Sequence, residues 1–394
     1  MPPKANTARE ERLLRTARDI SGRFGPRLPG SEGEQNTAIY LRDCFLKIGL
    51  DAELQPVGMT AQQHLPMILA YGLVVLASII MARSPIIAAP IAVAGLAAIL
   101  TEANGTPTIS RLLPKRQSYN VIAKIPSDGP ALRYIVVVAH LDSARPTMFS
   151  HPRTVVIQRQ SFMLALNTAA IITVLAVLGS IAPLARVWWV AFAAGLYLIF
   201  HITVLVHGSL HLPPSPGAND NASGLAVLVE LPERLRSLTA TEVWLVATCG
   251  HEVGLAGMRT FLQQSLPSRD STGVINLESV GAGAICLTLS EGYLRRTSVS
   301  QRLLEVAAEV VRATSLPVQA RHYQNEPTEA YLALSAGVPA ISVIGFDRRG
   351  VIPNWHWHGD IVDNLEPATM EVAAKLVEGM VRRLDAGVTT TLPQ

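Results

Sequence analysis

The chain has 394 residues, 49% of them hydrophobic and 16% charged, with a formal net charge of +3. Its mean hydropathy of +0.30 exceeds that of an ordinary soluble chain, and its length allows two or three domains. So small a charge gives no argument for nucleic acid as a partner, and the three scattered cysteines, Cys44, Cys249 and Cys286, supply neither a disulfide framework nor a paired-cysteine metal site.

The N-terminus is rich in Lys and Arg and no early apolar core follows, so it does not read as a cleaved signal peptide. Residues 8–24 and 33–48 show helical spacing, with Gly25, Pro26, Pro29 and Gly30 as the breaker between them. The apolar excess then begins. Leu65 to Ala82 is free of charge, as are the stretches between Arg83 and Glu102, between Arg159 and Arg186, and from Val187 to Gly217. Each approaches the roughly 20 apolar residues of a membrane-spanning helix. We read four spans in two hairpins, residues 64–104 and 159–208. Pro66, Pro85 and Pro90 interrupt the first pair, for which buried or interfacial helices are the alternative.

Removing the hairpins leaves residues 1–63, 105–158 and 209–394, a size compatible with one large α/β unit built from three pieces. Arg111, Lys115, Arg116, Arg145, Arg153 and Arg159 flank its side of the spans, whereas the hairpin tips carry only Arg83 and Arg186. The positive-inside bias therefore places this unit on the cytoplasmic face of a lipid bilayer.

Continuous apolar runs at residues 134–139, 243–247, 274–277 and 340–344 read as strands buried on both faces. Helical patterns at 222–235, 299–313 and 367–384 lie between or after them. The expected fold is α/β: a mixed, mostly parallel sheet sandwiched by helices, with the two hairpins inserted. Sites in such folds lie where strands end, and that is where the metal-binding residue types fall. The first run ends in His140, Leu141 and Asp142; Gly217, Ala218 and Asn219 lead into Asp220; Glu252 follows Gly250 and His251; Glu278 closes the third run; His356 precedes Asp360. Imidazole nitrogen with carboxylate oxygen suits zinc, and one carboxylate bridging two ions would let five side chains hold a two-metal centre. Taken singly, His140 reads as a structural strand residue and Asp220 as a helix N-cap. His140 precedes the second hairpin and Asp220 follows it, so the two share a centre only if that hairpin crosses an even number of times.

These strings resemble the family M28 zinc peptidases, the aminopeptidase group, and specifically its membrane-embedded members. The likeness rests on His140-Leu141-Asp142-Ser143, Gly217 through Asp220 to Gly224, His251-Glu252-Val253-Gly254-Leu255-Ala256-Gly257, Asn276-Leu277-Glu278, and His356 through Asp360 to Asp363-Asn364. Gly25 to Ser31, Tyr40-Leu41 and Gly49-Leu50 are similar to the family's opening helices, and Asn120 to Ala123 to its first core strand. The resemblance implies two zinc ions bridged by Asp220, one held further by His140 and Glu278 and the other by Glu252 and His356, with Asp142 orienting the site. It implies a peptide substrate cut at its N-terminal residue; carboxypeptidase-type cleavage also occurs in the family. Glu278 stands where most members have Asp, and His356 fits the family string better than His358, which is left as a surface or substrate-side group.

The main departure is His251, where the family has a glutamate acting as general base. A neutral imidazole can take a proton from water made acidic by zinc. The alternatives are that His251 is a ligand with Glu252 as base, that another carboxylate works, or that activity is lost and the chain is a silent membrane scaffold. Cyclisation of the glutaminyl-cyclase kind is a further rival. The segment is not the zincin motif, because Leu255 occupies the place of its second histidine. Pro327-Thr328-Glu329-Ala330 resembles a family segment beside the substrate pocket, so Glu329 could meet a substrate's free amine; an exposed helix-start carboxylate is the alternative.

Overall fold

The computed structural model describes residues 5–182 and 187–387; Arg186, at the expected tip of the second hairpin, lies outside them. Helices α1 (Ala5–Phe24) and α2 (Glu32–Lys47) open the chain. The Ser31 side chain caps α2 by accepting from the Glu34 amide, and Glu32 and Glu34 favour the positive end of its dipole. The turn between the helices needs positive φ at Gly25 and Gly30, which glycine adopts without strain.

Among the described residues nine strands form one mixed sheet: β1 (Asp51–Thr60), β2 (Lys115–Ile125), β3 (Arg133–His140), β4 (Thr241–Thr248), β5 (Thr272–Glu278), β6 (Ala284–Glu291), β7 (Thr297–Ser298), β8 (Gln319–His322) and β9 (Ala340–Phe346). The order is β1-β2-β4-β3-β5-β9-β6-β7, with β8 beside β6. The central β4-β3-β5-β9 run is parallel, and its flanks β1-β2 and β6 are antiparallel to their neighbours in that order. Alternation along β3 shows why the run is apolar throughout. Ile135, Val137 and Ala139 face a core shared with α1, α2, α7 (Gly224–Arg234), α9 (Gln301–Thr314) and α11 (Pro367–Ala386). Val136 and Val138 face a second core with α8 (Ala256–Gln264) and α10 (Glu329–Ser335).

The four strands expected from continuous apolar runs are the parallel centre. Strands β1, β6, β7 and β8 were not singled out by that criterion. Edge strand β1 carries Pro56 and Gly58 and is half exposed, so no apolar run marks it.

The apolar insertions form helices α3 (Leu65–Ile80), α4 (Pro85–Ala103), α5 (Gln158–Ile181) and α6 (Val187–His211). They pack as a four-helix bundle in which α3 and α5 each touch both α4 and α6. Small residues fill its interior, among them Ala70, Ala77, Ala92, Ala169 and Ala176, and a side chain at Gly95 would collide with Val74 of α3. Among the described residues, three helices are long and apolar enough to cross a membrane: Pro85–Ala103, Val155–Ile181 and Trp188–His211. Helix α3 has 16 residues, about 24 Å, which is shorter than a ~30 Å hydrocarbon core. The outward faces of the bundle expose Ile79, Ile86, Ile171, Val174, Ile181 and Trp189 among other large apolar side chains.

Candidate metal centre

His140 is the last residue of β3 and Glu278 the last of β5, so two adjacent parallel strands deliver an imidazole and a carboxylate to the same end of the sheet. Strand β4 ends at Thr248, and the left-handed turns at Gly250 and Gly254 bracket a short 3-10 helix, His251–Val253. Asp220 lies in the distorted segment Ala218–Ser223 that leads into α7, and its peptide bond to Asn221 is cis. His356 comes from the loop after β9.

These side chains converge. His140 Nε2 lies 3.0 Å from Asp220 Oδ1 and 3.2 Å from Glu278 Oε1. His356 Nε2 lies 3.4 Å from Asp220 Oδ2 and 3.2 Å from Glu252 Oε1. Asp220 thus presents one oxygen to each imidazole. With ligand bonds of about 2.0–2.1 Å, the edges of a tetrahedron around zinc are about 3.3–3.4 Å, close to all four separations. All five residues are within reach of the centre, and the exposed His358 stays outside it.

Hydrogen bonding adds a second argument. His140 Nδ1 is 3.0 Å from the Asp142 backbone carbonyl, which only accepts, so Nδ1 carries a proton. In the neutral ring Nε2 then turns a lone pair toward two carboxylate oxygens, an arrangement that calls for a cation between them. Burial opposes charge on His140, but Glu278, Asp142 and Asp220 outweigh it and raise its pKa well above the ordinary value. His356 behaves alike: Glu252, Glu326 and Asp220 overcome burial and hold it at about 9. Glu252 Oε1 is buried without a hydrogen-bond partner, although His356 lies beside it. An orphaned carboxylate oxygen, two imidazoles and two further carboxylates suit zinc in their donor chemistry.

Asp142 was expected to accept the other His140 ring proton or to orient the site. Its carboxylate is 3.6 Å from His140 Nδ1, and it accepts instead from the backbone amides of His251, at 3.0 Å, and Glu252, at 2.9 Å. It therefore orients the segment carrying both residues. Asp360 acts similarly on the other side, accepting from the amides of Asn219 and Asp220; burial and the neighbouring Asp220 push its pKa up to about 7.

The His251 ring stacks on His140 with centroids 4.1 Å apart, and its Nδ1 donates to Glu329, 3.0 and 2.9 Å from the two carboxylate oxygens. Burial disfavours the imidazolium, yet Glu329 raises the His251 pKa to about 10. Glu329 is fully buried and also accepts from the Thr248 hydroxyl. This corrects one expectation for Glu329. It is not an exposed helix-start carboxylate; because Thr328 caps α10 at a buried end, the next side chain reaches the His251 ring.

Four contributors were not singled out from sequence. Arg27, fully buried, donates through its guanidinium to the carbonyls of Leu141, Pro216 and Gly217, tying the α1–α2 turn to the His140 and Asp220 segments; burial lowers its pKa to about 10. Glu34 accepts from the amides of Gly30 and Gly250, and burial pushes it up to about 8. Gln63 donates to Glu252 Oε2 at 2.9 Å while its carbonyl oxygen accepts from the Arg145 amide. Glu326 brings a carboxylate oxygen within 4.8 Å of ligand atoms of Glu252 and His356. Arg27 lies in a string read only for fold, and the other three are single polar residues, each with at least one partner remote in sequence.

A cleft of about 220 Å³ opens beside the centre, lined by His251, Glu252, Glu326 and His356 on one side and by the bundle on the other.

The sequence model of Peptidase family M28 matches residues 204–381, which include Asp220, Glu252, Glu278 and His356 but not His140. No curated protein matches the chain. Among solved structures, a Zn-dependent exopeptidase from Parabacteroides distasonis is similar at 14% identity, with 95% of this chain and 97% of that one covered and a TM-score of 0.58. A zinc aminopeptidase from Bacillus subtilis is similar at 14% identity, 94% of each chain and a TM-score of 0.56. A glutaminyl cyclase from Porphyromonas gingivalis is similar at 13% identity, 96% of this chain, 98% of that one and a TM-score of 0.55. At such identities these structures share the fold. The chain therefore has a zinc-peptidase-like α/β fold, and its residues 204–381 match the sequence model of Peptidase family M28.

Proposed function

We propose that the chain is a membrane-inserted zinc aminopeptidase that removes the N-terminal residue of peptides. The observation that carries this reading is the division of the Asp220 carboxylate between His140 and His356, the geometry a bridging ligand of two ions requires. His140 and Glu278 would complete one site, Glu252 and His356 the other. Bound zinc would supply Lewis acidity, drawing charge from the scissile carbonyl and lowering the pKa of water toward ~7.

The protein's own groups do the rest. Glu329 holds the proton on His251 Nδ1, leaving Nε2 as the base that takes a proton from the attacking water and returns it to the leaving amine. The stack on His140 keeps that nitrogen at the centre. Asp142 fixes the backbone that carries His251 and Glu252. Glu326, at the cleft wall beside Glu252 and His356, offers a negative charge to the substrate's free amine.

Membrane insertion is supported by the three long apolar helices and by the apolar outer face of the bundle. The basic residues on the side of the α/β unit favour the cytoplasmic face for the site. The test is a panel of aminoacyl chromogenic substrates with purified protein. Chelator-sensitive release with two zinc per chain is expected; one zinc per chain with cyclisation of N-terminal glutamine would favour the cyclase chemistry, and absence of both would favour a silent scaffold.

A further inference from the structure

We propose that the inserted bundle forms the specificity pocket, an aromatic chamber that selects peptides whose first residue has a large apolar side chain. The inference rests on the aminopeptidase reading above.

The cleft that exposes His251, Glu252 and His356 continues into the bundle, where its walls are Met67 and Tyr71 of α3, Phe162 of α5, Leu205 of α6, Phe149 before α5, and Tyr293 after β6. Tyr71 lies six residues into α3, about 9 Å from its start. His201, also on the wall, lies ten residues before the end of α6, about 15 Å deep. The chamber therefore lies between the helices and the residues of the sheet domain that meet them, Phe149 and Tyr293 among them.

Its rings are fixed by one another. Phe162 stacks on Tyr293 with centroids 4.5 Å apart, and Phe149 stacks on His201 at 5.5 Å. The His201 ring is held by the Ser161 hydroxyl at 3.1 Å. Such a wall is rigid before the substrate arrives, which favours a complementary apolar group, and the polar side chains His64, Glu102, Arg145 and Gln158 line other parts of the same cleft.

Charge on the cleft rim sets the orientation. Glu326 stands next to the Glu252 and His356 ligand atoms, and the aromatic walls lie farther from them in the bundle. An aminoacyl unit with its carbonyl at the centre and its amine at Glu326 has its side chain left to enter the chamber. The cleft as a whole, centre and chamber together, measures about 220 Å³, against ~10–15 Å³ for one water, which leaves room for a side chain beside the reacting carbonyl.

The experiment compares kcat/KM for leucyl, phenylalanyl, alanyl, lysyl and glutamyl p-nitroanilides with the full-length, zinc-loaded protein in detergent. Leucyl and phenylalanyl substrates are expected to exceed alanyl by at least roughly tenfold, since each methylene in such a pocket is worth about 10- to 200-fold. Phe162→Ala lowers the phenylalanyl:alanyl ratio by about tenfold. Met67→Trp, which fills the chamber without removing the Phe162–Tyr293 stack, reverses the preference toward alanyl. Equal rates on all substrates, or variants that scale every substrate alike, overturn the inference and leave the peptidase reading intact; the chamber would then hold a lipid acyl chain or nothing. Release from no substrate at all overturns both.

Discussion

Asp220 serves both halves of the centre, whereas each other donor serves one. Asp220→Asn keeps the shape but weakens both sites, so zinc content is expected to fall from two equivalents to below one, measured by elemental analysis after gel filtration. His251 has the opposite signature. His251→Ala retains zinc and loses about 10²–10⁴-fold in kcat if its ring moves the proton; unaltered turnover removes it from the mechanism. Glu329→Gln separates orientation from chemistry. The Glu329 charge raises the His251 pKa to about 10, and a zinc ion beside it would lower that value. The working form is the neutral imidazole, so activity rises with pH through this pKa. Removing the charge lowers the pKa further and shifts the rising limb of the kcat profile toward acid, while the plateau falls about 10- to 100-fold. An unshifted limb with full activity would separate Glu329 from the reaction. At this scale the sequence was readable where a ligand type stands beside glycine at a strand end, as with His140, Asp220, Glu252, Glu278 and His356. It was silent on Gln63 and Glu326, whose partners are fixed only by the packing of loops remote in sequence, and on the burial that makes Glu329 a partner of His251.

The elements that hold the centre are tied by Arg27, which bonds to carbonyls of two segments more than a hundred residues away. Arg27→Ala strands the Leu141 and Pro216 carbonyls in a buried site, whereas Gly217 keeps the Ala222 amide, and at about 1–3 kcal/mol for each unsatisfied group the loss is at least about 2 kcal/mol. Thermal unfolding of the metal-free protein measures it, and a variant of unchanged stability would deny Arg27 this tie. In the bundle, Gly95 sets the α3–α4 approach; Gly95→Leu drives its side chain into Val74 and is expected to destabilise by about 1–3 kcal/mol in detergent. The parallel strands were legible because burial on both faces makes them uniformly apolar, as in β3. Strands β1 and β8 face solvent along much of their length, so their sequences carry no such run and their pairing is decided by the neighbours. The inserted helices were legible as uncharged stretches, and what the sequence did not give is that α3 is only 16 residues long and packs between α4 and α6.

On the scale of the molecule, two hairpins inserted at residues 65–103 and 158–211 return the chain to the same end of the sheet each time, which is how His140 and Asp220, on either side of the second, come to lie 3.0 Å apart. The apolar outer face of the bundle predicts that the protein resists alkaline carbonate extraction from membranes and partitions into detergent. Release by carbonate would contradict insertion. The central claim is that ligands from two pieces of the chain, on either side of the second hairpin, gather a pair of cations around one carboxylate. Anomalous diffraction at the zinc edge tests it most directly: two peaks about 3.5–4 Å apart, one on each side of Asp220, are the predicted result. A single peak, or zinc bound away from Asp220, would contradict the account.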